Sequence, residues 1–190
     1  MRLNIYIISH PIIKLLSNSI IYTKNDYSYL YHYKYIGLLL IYEIMRKYLI
    51  IQSVYIKKVY YIRQIYQIGL KERYYIITDI VKTYNIITDI KLLMPDIEII
   101  NINNNNTSQH FLDLENIKEL SLINYNKNVI ILDSVLYEST FIDLITYIIK
   151  NTTISINNIQ IACLACYNEL LDKLGYEYPN LNVYTTKIIK

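Results

Sequence analysis

The sequence has 190 residues, of which 53% are hydrophobic, a length and composition that suit one domain with an ample core. Its net charge of +3 comes from mixed charges without a basic stripe, which argues against nucleic-acid binding. The most apolar long stretch, residues 36–50, is interrupted by Glu43, Arg46 and Lys47 and falls short of the roughly 18–20 uncharged residues that a membrane span needs. No secretory cleavage site follows the apolar N-terminus. We therefore expect neither a nucleic acid nor a membrane as a partner.

The composition is rich in Ile, Asn, Lys and Tyr, with 23 Tyr but only three Gly and three Pro. All four favoured residues have AT-rich codons, which suggests the hypothesis of an AT-biased genome such as that of an organelle. The high frequency of Ile and Tyr then partly reflects mutation pressure and not structure. Because both residues favour strands, strand propensity overestimates the strand content along the whole chain.

The N-terminal third predicts helices followed by a hairpin. Ser9 is a candidate N-cap with Pro11 in the first helical turn. A polar loop over 23–28 precedes a long helix over 29–49, whose wide apolar face predicts packing on two sides, one of them against a partner subunit. Alternating residues over 51–68 then predict an antiparallel hairpin that turns at Lys57-Lys58.

From residue 74 onward, strands alternate with helices. The predicted strands cover 75–81, 98–102, 129–133, 159–164 and 181–185, and the predicted helices cover 84–94, 139–150 and 168–174, the last ended by Gly175. An Asn-rich loop over 101–106 and a weakly helical stretch over 112–122 lie between them. The alternation predicts an α/β fold with a parallel sheet and helices on both faces. We expect one domain over 1–190, with a helical arm at 1–50, a hairpin at 51–70 and an α/β core at 74–186.

Ligands in such folds bind at the carboxyl ends of the strands, here near 78–83, 102–106 and 133–140. The third range is the most informative, because an apolar run ends in Asp133 and a short loop leads into a helix. A strand, a short loop and a helix N-terminus form the usual anion-binding arrangement of a parallel sheet.

The two cysteines form the motif Cys163-Leu164-Ala165-Cys166. They could be a redox pair or half of a metal site, although the three His residues that might complete a metal site are scattered. We favour the simpler interpretation of two small hydrophobic side chains at the end of a buried strand.

Several motifs, in order, resemble the uracil phosphoribosyltransferases, a type I phosphoribosyltransferase family. His10-Pro11-Ile12 resembles the family's opening His-Pro-Leu, and residues 37–44 resemble its Gly-x-Leu-Leu-x-Tyr-Glu-Ala pattern except for the final Ala. Met94-Pro95 echoes a Val-Pro, residues 181–186 match a Val-Glu-Leu-Tyr-Thr-Ala, and residues 132–141 match the phosphoribosyl loop Val-Asp-Pro-Met-Leu-Ala-Thr-Gly-Gly-Ser. The resemblance runs from about residue 9 to 186.

The resemblance implies transfer of ribose 5-phosphate from phosphoribosyl pyrophosphate to uracil, with Mg²⁺, giving UMP and pyrophosphate. It places the phosphoribosyl pyrophosphate site at Asp133, Ser134, Val135, Leu136, Tyr137, Glu138, Ser139, Thr140 and Phe141, with Lys82 as the one candidate cation of the pyrophosphate loop. Glu138-Ser139-Thr140 replaces the Thr-Gly-Gly that shapes the phosphate cradle, and adds a carboxylate where a dianion should sit. The family's Arg and Gly are also missing around Lys82.

The family's uracil-recognising segment is expected beyond Lys190, so the resemblance assigns no uracil-binding residue and no metal ligand within the sequence. Three interpretations follow: a homologue with weak or lost catalysis, which we favour; a working enzyme with an unusual loop; and a non-enzymatic nucleotide-sensing or partner-binding module. The family also implies a homodimer. The composition and the resemblance together suggest a plastid-encoded protein, with the cytoplasm as the alternative.

Overall fold

The computed structural model describes residues 3–22, 28–102, 126–137 and 140–190. Its strands are β1 (Asn4–Ile7), β2 (Ile51–Lys57), β3 (Ile62–Ile68), β4 (Glu72–Thr78), β5 (Glu98–Asn101), β6 (Asn126–Leu136), β7 (Ile159–Tyr167) and β8 (Asn182–Ile189). Its helices are α1 (Pro11–Tyr22), α2 (Ser28–Tyr48), α3 (Ile80–Ile87), α4 (Ile90–Leu93), α5 (Thr140–Asn151) and α6 (Asn168–Glu177), with a 3-10 turn over Ile156–Asn158.

Six strands form one parallel sheet in the order β1-β8-β7-β6-β4-β5, and β2 pairs with β3 in a separate antiparallel hairpin. Helices α2, α3 and α4 cover one face of the sheet, and α5 and α6 cover the other. The predicted α/β fold, with helices on both faces and a hairpin, is confirmed. No helix in the described ranges is long and apolar enough to cross a membrane.

The centre of the sheet consists of apolar strands that alternate between two cores. Ile76 and Ile130 face α2 and α3, whereas Ile77 and Ile131 face α5, and all four are fully buried. Burying one such side chain contributes about 1.5–3 kcal/mol. Near-continuous apolar strands are therefore what this two-sided sheet requires.

The hairpin projects from the sheet and its helices, and its turn lies two residues later than predicted. The backbone N–H of Lys58 donates to Tyr61 O at 2.8 Å, so Val59 and Tyr60 form the tip rather than Lys57-Lys58. Val59 and Tyr60 are 89% and 94% exposed. At its base, the hydroxyl of Tyr74 accepts from Ile50 N–H at 3.0 Å and holds the hairpin to β4.

Several predicted boundaries are wrong in an instructive way. The strand β1 was not predicted, and it adds a parallel edge beside β8. Lys14 N–H donates to His10 O, so α1 is capped at His10 rather than Ser9. β4 ends at Thr78, and α3 starts at Ile80 instead of Tyr84. Helix α6 continues through Gly175 to Glu177, so Gly175 does not end it as predicted. No described residue has the positive φ that a glycine at such a helix end would adopt. The predicted helical stretch over 112–122 lies outside the described residues.

Candidate functional site

The sheet has its topological switch point between β4 and β6. The chain leaves β4 towards β5 on one side and leaves β6 towards β7 on the other. A crevice opens at the carboxyl ends of two such strands, and it is the usual ligand site of open parallel sheets. Thr78 at the end of β4 pairs with Leu132 of β6, so Asp79 and Asp133 follow at the same edge.

Two of the predicted site residues meet at this edge. The positive charge of Lys82 is close enough to Asp133 to lower the pKa of its carboxyl, although burial outweighs this effect and raises that pKa. Oδ1 of Asp133 accepts hydrogen bonds from Ser134 N–H at 2.6 Å and from the Ser134 hydroxyl at 3.4 Å. Nζ of Lys82 lies 3.8 Å from Oδ2 of Asp79, so this exposed cation already has a nearer carboxylate.

The N-terminus of α3 is closed by the protein itself. Ile80 N–H donates to the side chain of Asn101 at 2.9 Å, and Val81 N–H donates to the side chain of Asp79 at 3.0 Å. The next two backbone donors, those of Lys82 and Thr83, are bound to Asp79 O at 3.1 and 3.0 Å. The bond of Thr83 is the first regular bond of the helix. The N–H groups of Ile80, Val81 and Lys82 are among those that a helix offers to an anion, and all three have internal partners.

A buried hydroxyl pair joins the two strands beneath this helix. Thr78 donates from Oγ1 to Leu132 O at 2.7 Å, and its hydroxyl lies 2.6 Å from that of Thr83. Both Thr side chains are fully buried. The pair therefore fixes β4, β6 and α3 relative to one another. Sequence reasoning placed residues 78–83 at the ligand-binding edge and Asn101 in an Asn-rich loop. It did not identify the contacts of Thr78 with Leu132 or of Asn101 with Ile80, because these partners are distant in sequence.

The predicted phosphate loop is shorter in the structure than in the sequence interpretation. Ser134, Val135 and Leu136 belong to β6, and Val135 and Leu136 pair in register with Ala165 and Cys166 of β7. The expectation that β6 ends at Asp133 and gives way to a loop is therefore wrong, because β7 also continues and supplies hydrogen-bond partners. Only residues 137–139 separate β6 from α5.

The rest of the predicted site has different outcomes. Phe141 lies in α5, as the predicted helix over 139–150 requires, and its side chain is buried in the core against the sheet. Its assignment to the phosphoribosyl pyrophosphate site stays a prediction. Thr140 is the first residue of α5, whereas Glu138 and Ser139 lie outside the described residues. None of the described residues has the positive φ that the family's glycines allow.

The cysteine pair lies directly beside this extended strand. Cys163 and Cys166 are both buried in the core that faces α5 and α6, where a regular strand would place side chains three apart on opposite faces. The regular alternation of side chains between the two faces of β7 is therefore interrupted between Cys163 and Cys166. Burial raises the pKa of the Cys163 thiol, and the hydrogen bond between the thiols lowers the pKa of Cys166. Within the described ranges, no group of three His, Cys, Asp or Glu side chains could hold a metal ion.

A cavity of about 540 Å³ opens beside the end of β6. Its lining residues are Val135, Tyr137, Tyr167, Glu169, Leu170 and Lys173. Two of these, Val135 and Tyr137, were predicted for the phosphate loop. Aromatic walls with one acid and one base can hold a planar polar ring, and the volume falls within the range of small-molecule sites.

Comparison with known proteins decides the family. No protein-family model matches the chain. The sequence is 31% identical over 192 residues to a uracil phosphoribosyltransferase homolog of Porphyra purpurea, with 99% of this chain and 89% of that protein covered. The chain belongs to the uracil phosphoribosyltransferase family. A second homolog of the same name, from Pyropia yezoensis, is 29% identical with the same coverage. The solved structure of the AQ2163 protein from Aquifex aeolicus has a TM-score of 0.74 over 97% of this chain and 86% of that one; at 13% identity it supports the fold alone.

The fold explains one motif on which the resemblance to the family rests. A Cβ on Gly37 would overlap the backbone carbonyl of Ile86, because α2 and α3 touch there. The Gly that opens the α2 motif is therefore a packing residue, and it sets the position of α3 at the switch point.

Proposed function

We propose that this member of the uracil phosphoribosyltransferase family has weak or lost phosphoribosyl transfer. The observation that carries the proposal is the continuation of β6 through Leu136. A loop that wraps a phosphate must present free backbone N–H groups. Residues of the loop motif that pair with β7 lie in an extended strand, so they cannot curl around a phosphate and offer it their N–H groups.

The pyrophosphate side of the crevice supports the same proposal. Leaving pyrophosphate needs cations and donors that neutralise its developing charge. Here Lys82 faces Asp79, and the first three N–H groups of α3 are bound by Asn101 and Asp79. A ligand would have to displace these internal contacts before it could use them.

Mg²⁺ remains an expectation from the family. Mg²⁺ in phosphate sites is commonly held by one or two carboxylates together with the phosphates of the substrate. Asp133 offers a carboxylate at this edge, but burial raises its pKa and one of its oxygens already accepts from Ser134. The residues fit the ion poorly without substrate phosphates.

The test is UMP formation. The purified chain is incubated with phosphoribosyl pyrophosphate, Mg²⁺ and labelled uracil beside an active uracil phosphoribosyltransferase, and UMP is quantified by chromatography. We expect turnover at least about 10³-fold below the active enzyme, which corresponds to roughly 4 kcal/mol of lost transition-state stabilisation. Turnover within about tenfold of that enzyme would overturn the proposal.

A second candidate is a nucleotide-sensing or partner-binding module on the same scaffold. The cavity lined by Tyr137, Tyr167 and Lys173 favours the sensing version, because it can hold a base and a charged group without any transfer step. UMP and phosphoribosyl pyrophosphate would then raise the melting temperature without turnover. Replacing Tyr167 by Ala should abolish that rise, whereas the matched control Tyr176→Ala on exposed α6 surface should not.

We also propose a homodimer that uses the outer face of α2. Tyr31, Tyr35 and Tyr42 follow one another at helical spacing on this helix, yet they are 60%, 52% and 54% exposed. The hairpin is a second candidate contact, since a two-stranded hairpin is marginal in water without a packed face. An exposed aromatic stripe of this kind is typical of a protein interface.

We propose a plastid location, with the cytoplasm as the alternative. The support is the AT-biased composition and the similarity to homologs from two red algae. Immunogold labelling of sectioned cells tests it, and label confined to the cytoplasm would favour the alternative.

A further inference from the structure

A larger cavity lies away from the switch point, on the α2 face of the sheet. Its volume is about 690 Å³, and it opens between the β1–α1 connection and the C-terminal half of α2. β1 is three strands away from β6 in the sheet order, so this cavity is separate from the phosphoribosyl site. The lining residues are Tyr6, Ile7, Ile8, Ser9, His10, Glu43, Arg46, Lys47 and Tyr184.

Lys47 is held in a fixed position on the wall of this cavity. Its Nζ donates to the hydroxyl of Tyr6 at 3.2 Å and lies 4.7 Å from the centre of the Tyr6 ring. Tyr6 in turn stacks on Tyr184, with ring centres 4.7 Å apart and an interplanar angle of 13°. The hydrogen bond to Tyr6 raises the pKa of Lys47 above its ordinary value. The cavity therefore has a charged ammonium group anchored to a rigid aromatic pair.

Arg46 and His10 add donors to the same cavity. Nη2 of Arg46 contacts Oε2 of Glu43 at 3.1 Å, which uses part of a guanidinium that carries five N–H groups. Nδ1 of His10 accepts from Ile12 N–H at 3.3 Å, so in the neutral ring the hydrogen is on Nε2, which is available as a donor. Two cations, Arg46 and Lys47, and one acid, Glu43, give the lining a positive balance.

We propose that this cavity binds a phosphorylated small molecule, with the phosphate held by Arg46, Lys47 and His10. Arg suits phosphate because its planar fork can donate two parallel hydrogen bonds, and a Lys acts as a point charge beside it. A free metal cation would meet two positive charges here and only one carboxylate. The volume admits a ligand of nucleotide size. The site is independent of whether the family reaction is retained.

Glu43 makes the proposal sharply testable, because a phosphate must compete with its carboxylate for Arg46. The probe is inorganic pyrophosphate, titrated calorimetrically into the whole chain at low, fixed ionic strength. We expect Arg46→Gln and Lys47→Gln each to weaken binding about tenfold, and Glu43→Gln to strengthen it about fivefold. A gain in affinity cannot come from unfolding.

Two further variants locate the binding. Arg63→Gln removes an exposed cation from the hairpin and should leave pyrophosphate affinity unchanged. Lys82→Gln removes the cation of the switch point and tests whether pyrophosphate binds there instead. Absence of pyrophosphate binding at millimolar concentration would overturn the proposal, as would loss of binding in Lys82→Gln or unchanged affinity in Glu43→Gln. The titration measures binding and not UMP formation. Its result therefore does not depend on the proposed loss of phosphoribosyl transfer.

Discussion

The side-chain oxygen of Asn101, at the end of β5, accepts a hydrogen bond of 2.9 Å from the backbone N–H of Ile80, the first residue of α3. The contact joins two elements that are 21 residues apart, and it satisfies a donor that an anion could otherwise use. Asn101→Ala should lower the free energy of unfolding by about 1–2 kcal/mol, because the partly buried N–H loses its partner. Urea denaturation measures the loss.

Asn101→Asp is the matched variant, since a carboxylate at that position keeps the acceptor and suits a helix N-terminus. It should remain within about 0.5 kcal/mol of the wild type. Asn180→Ala, at an exposed turn, gives the change in free energy of unfolding expected for an Asn→Ala substitution that removes no structural contact. A cost for Asn101→Ala no larger than that change would contradict the role assigned to Asn101.

Two glycines should respond in opposite directions to the same substitution. Gly37→Ala places a Cβ on the backbone carbonyl of Ile86 and forces α2 away from α3, so we expect a loss of about 2–3 kcal/mol. A Cβ on Gly175, in α6, would meet the Cβ of Leu3, just before β1, at 3.4 Å, which is an ordinary van der Waals contact. Gly175→Ala should therefore stabilise the protein by about 0.5–1 kcal/mol. Thermal and urea unfolding of both variants give the sign of each change in the free energy of unfolding. Two changes of the same sign would refute the packing argument.

The partly buried carboxyl of Asp133 should make stability depend on pH. Burial raises the pKa of Asp133 in the folded protein, so the folded state binds its proton more tightly than the unfolded state does. Stability contributed by this group therefore falls as pH rises from the unfolded pKa through the folded pKa, and the full penalty is present above the folded value. Asp133→Asn should thus raise the free energy of unfolding at pH 7, with a benefit that disappears in acid below the unfolded pKa.

Urea midpoints at several pH values test this sign. Asp96→Asn is the control, because Asp96 is exposed beyond α4 and has no buried charge to relieve. If Asp133→Asn destabilises the protein at pH 7, the carboxylate form is favoured there, and the assignment of burial as the dominant effect is wrong.

Much of the fold follows from sequence because the pattern is local. Apolar runs such as Val129–Leu132, separated by helical periods, predict a parallel sheet without any knowledge of partners. The hairpin also follows, from alternation over residues 51–68. The short edge strand β1 does not, because Asn4–Ile7 is four residues long and gains its identity only by pairing with β8.

The candidate site was harder to predict because its decisive contacts are non-local. Ser134 looks like a loop residue after Asp133, but the length of β6 depends on how far β7 continues beside it. Asn101 belongs to an Asn-rich run in which no single residue is distinguished, and only the fold brings it to Ile80. Gly37 could be recognised from the motif, but its contact with Ile86 could not.

The proposed homodimer predicts that charge on the aromatic stripe of α2 will prevent association. In that dimer, Tyr35→Glu and Tyr42→Glu would bury unpaired carboxylates between the subunits, which is costly. Light scattering after size-exclusion chromatography should show a dimer for the wild type and a monomer for the double variant at micromolar concentration. Tyr176→Glu, at a position 90% exposed on α6, should stay dimeric. A wild type that is monomeric at all concentrations would rule out the interface.

The extension of β6 predicts that repairing the phosphate motif requires two changes. Replacing Glu138, Ser139 and Thr140 by Thr-Gly-Gly removes a carboxylate and restores glycines, but it leaves Val135 and Leu136 paired with β7. Adding Ser134→Pro removes a backbone N–H and disfavours a central strand at that point, which should release the loop. We expect the triple variant to bind phosphoribosyl pyrophosphate little better than the wild type, and the quadruple variant to bind it at least about tenfold more tightly. Calorimetric titration with circular dichroism as a check on folding measures both. If the triple variant alone gains the full affinity, the side chains at 138–140 are the obstacle and the strand extension is not.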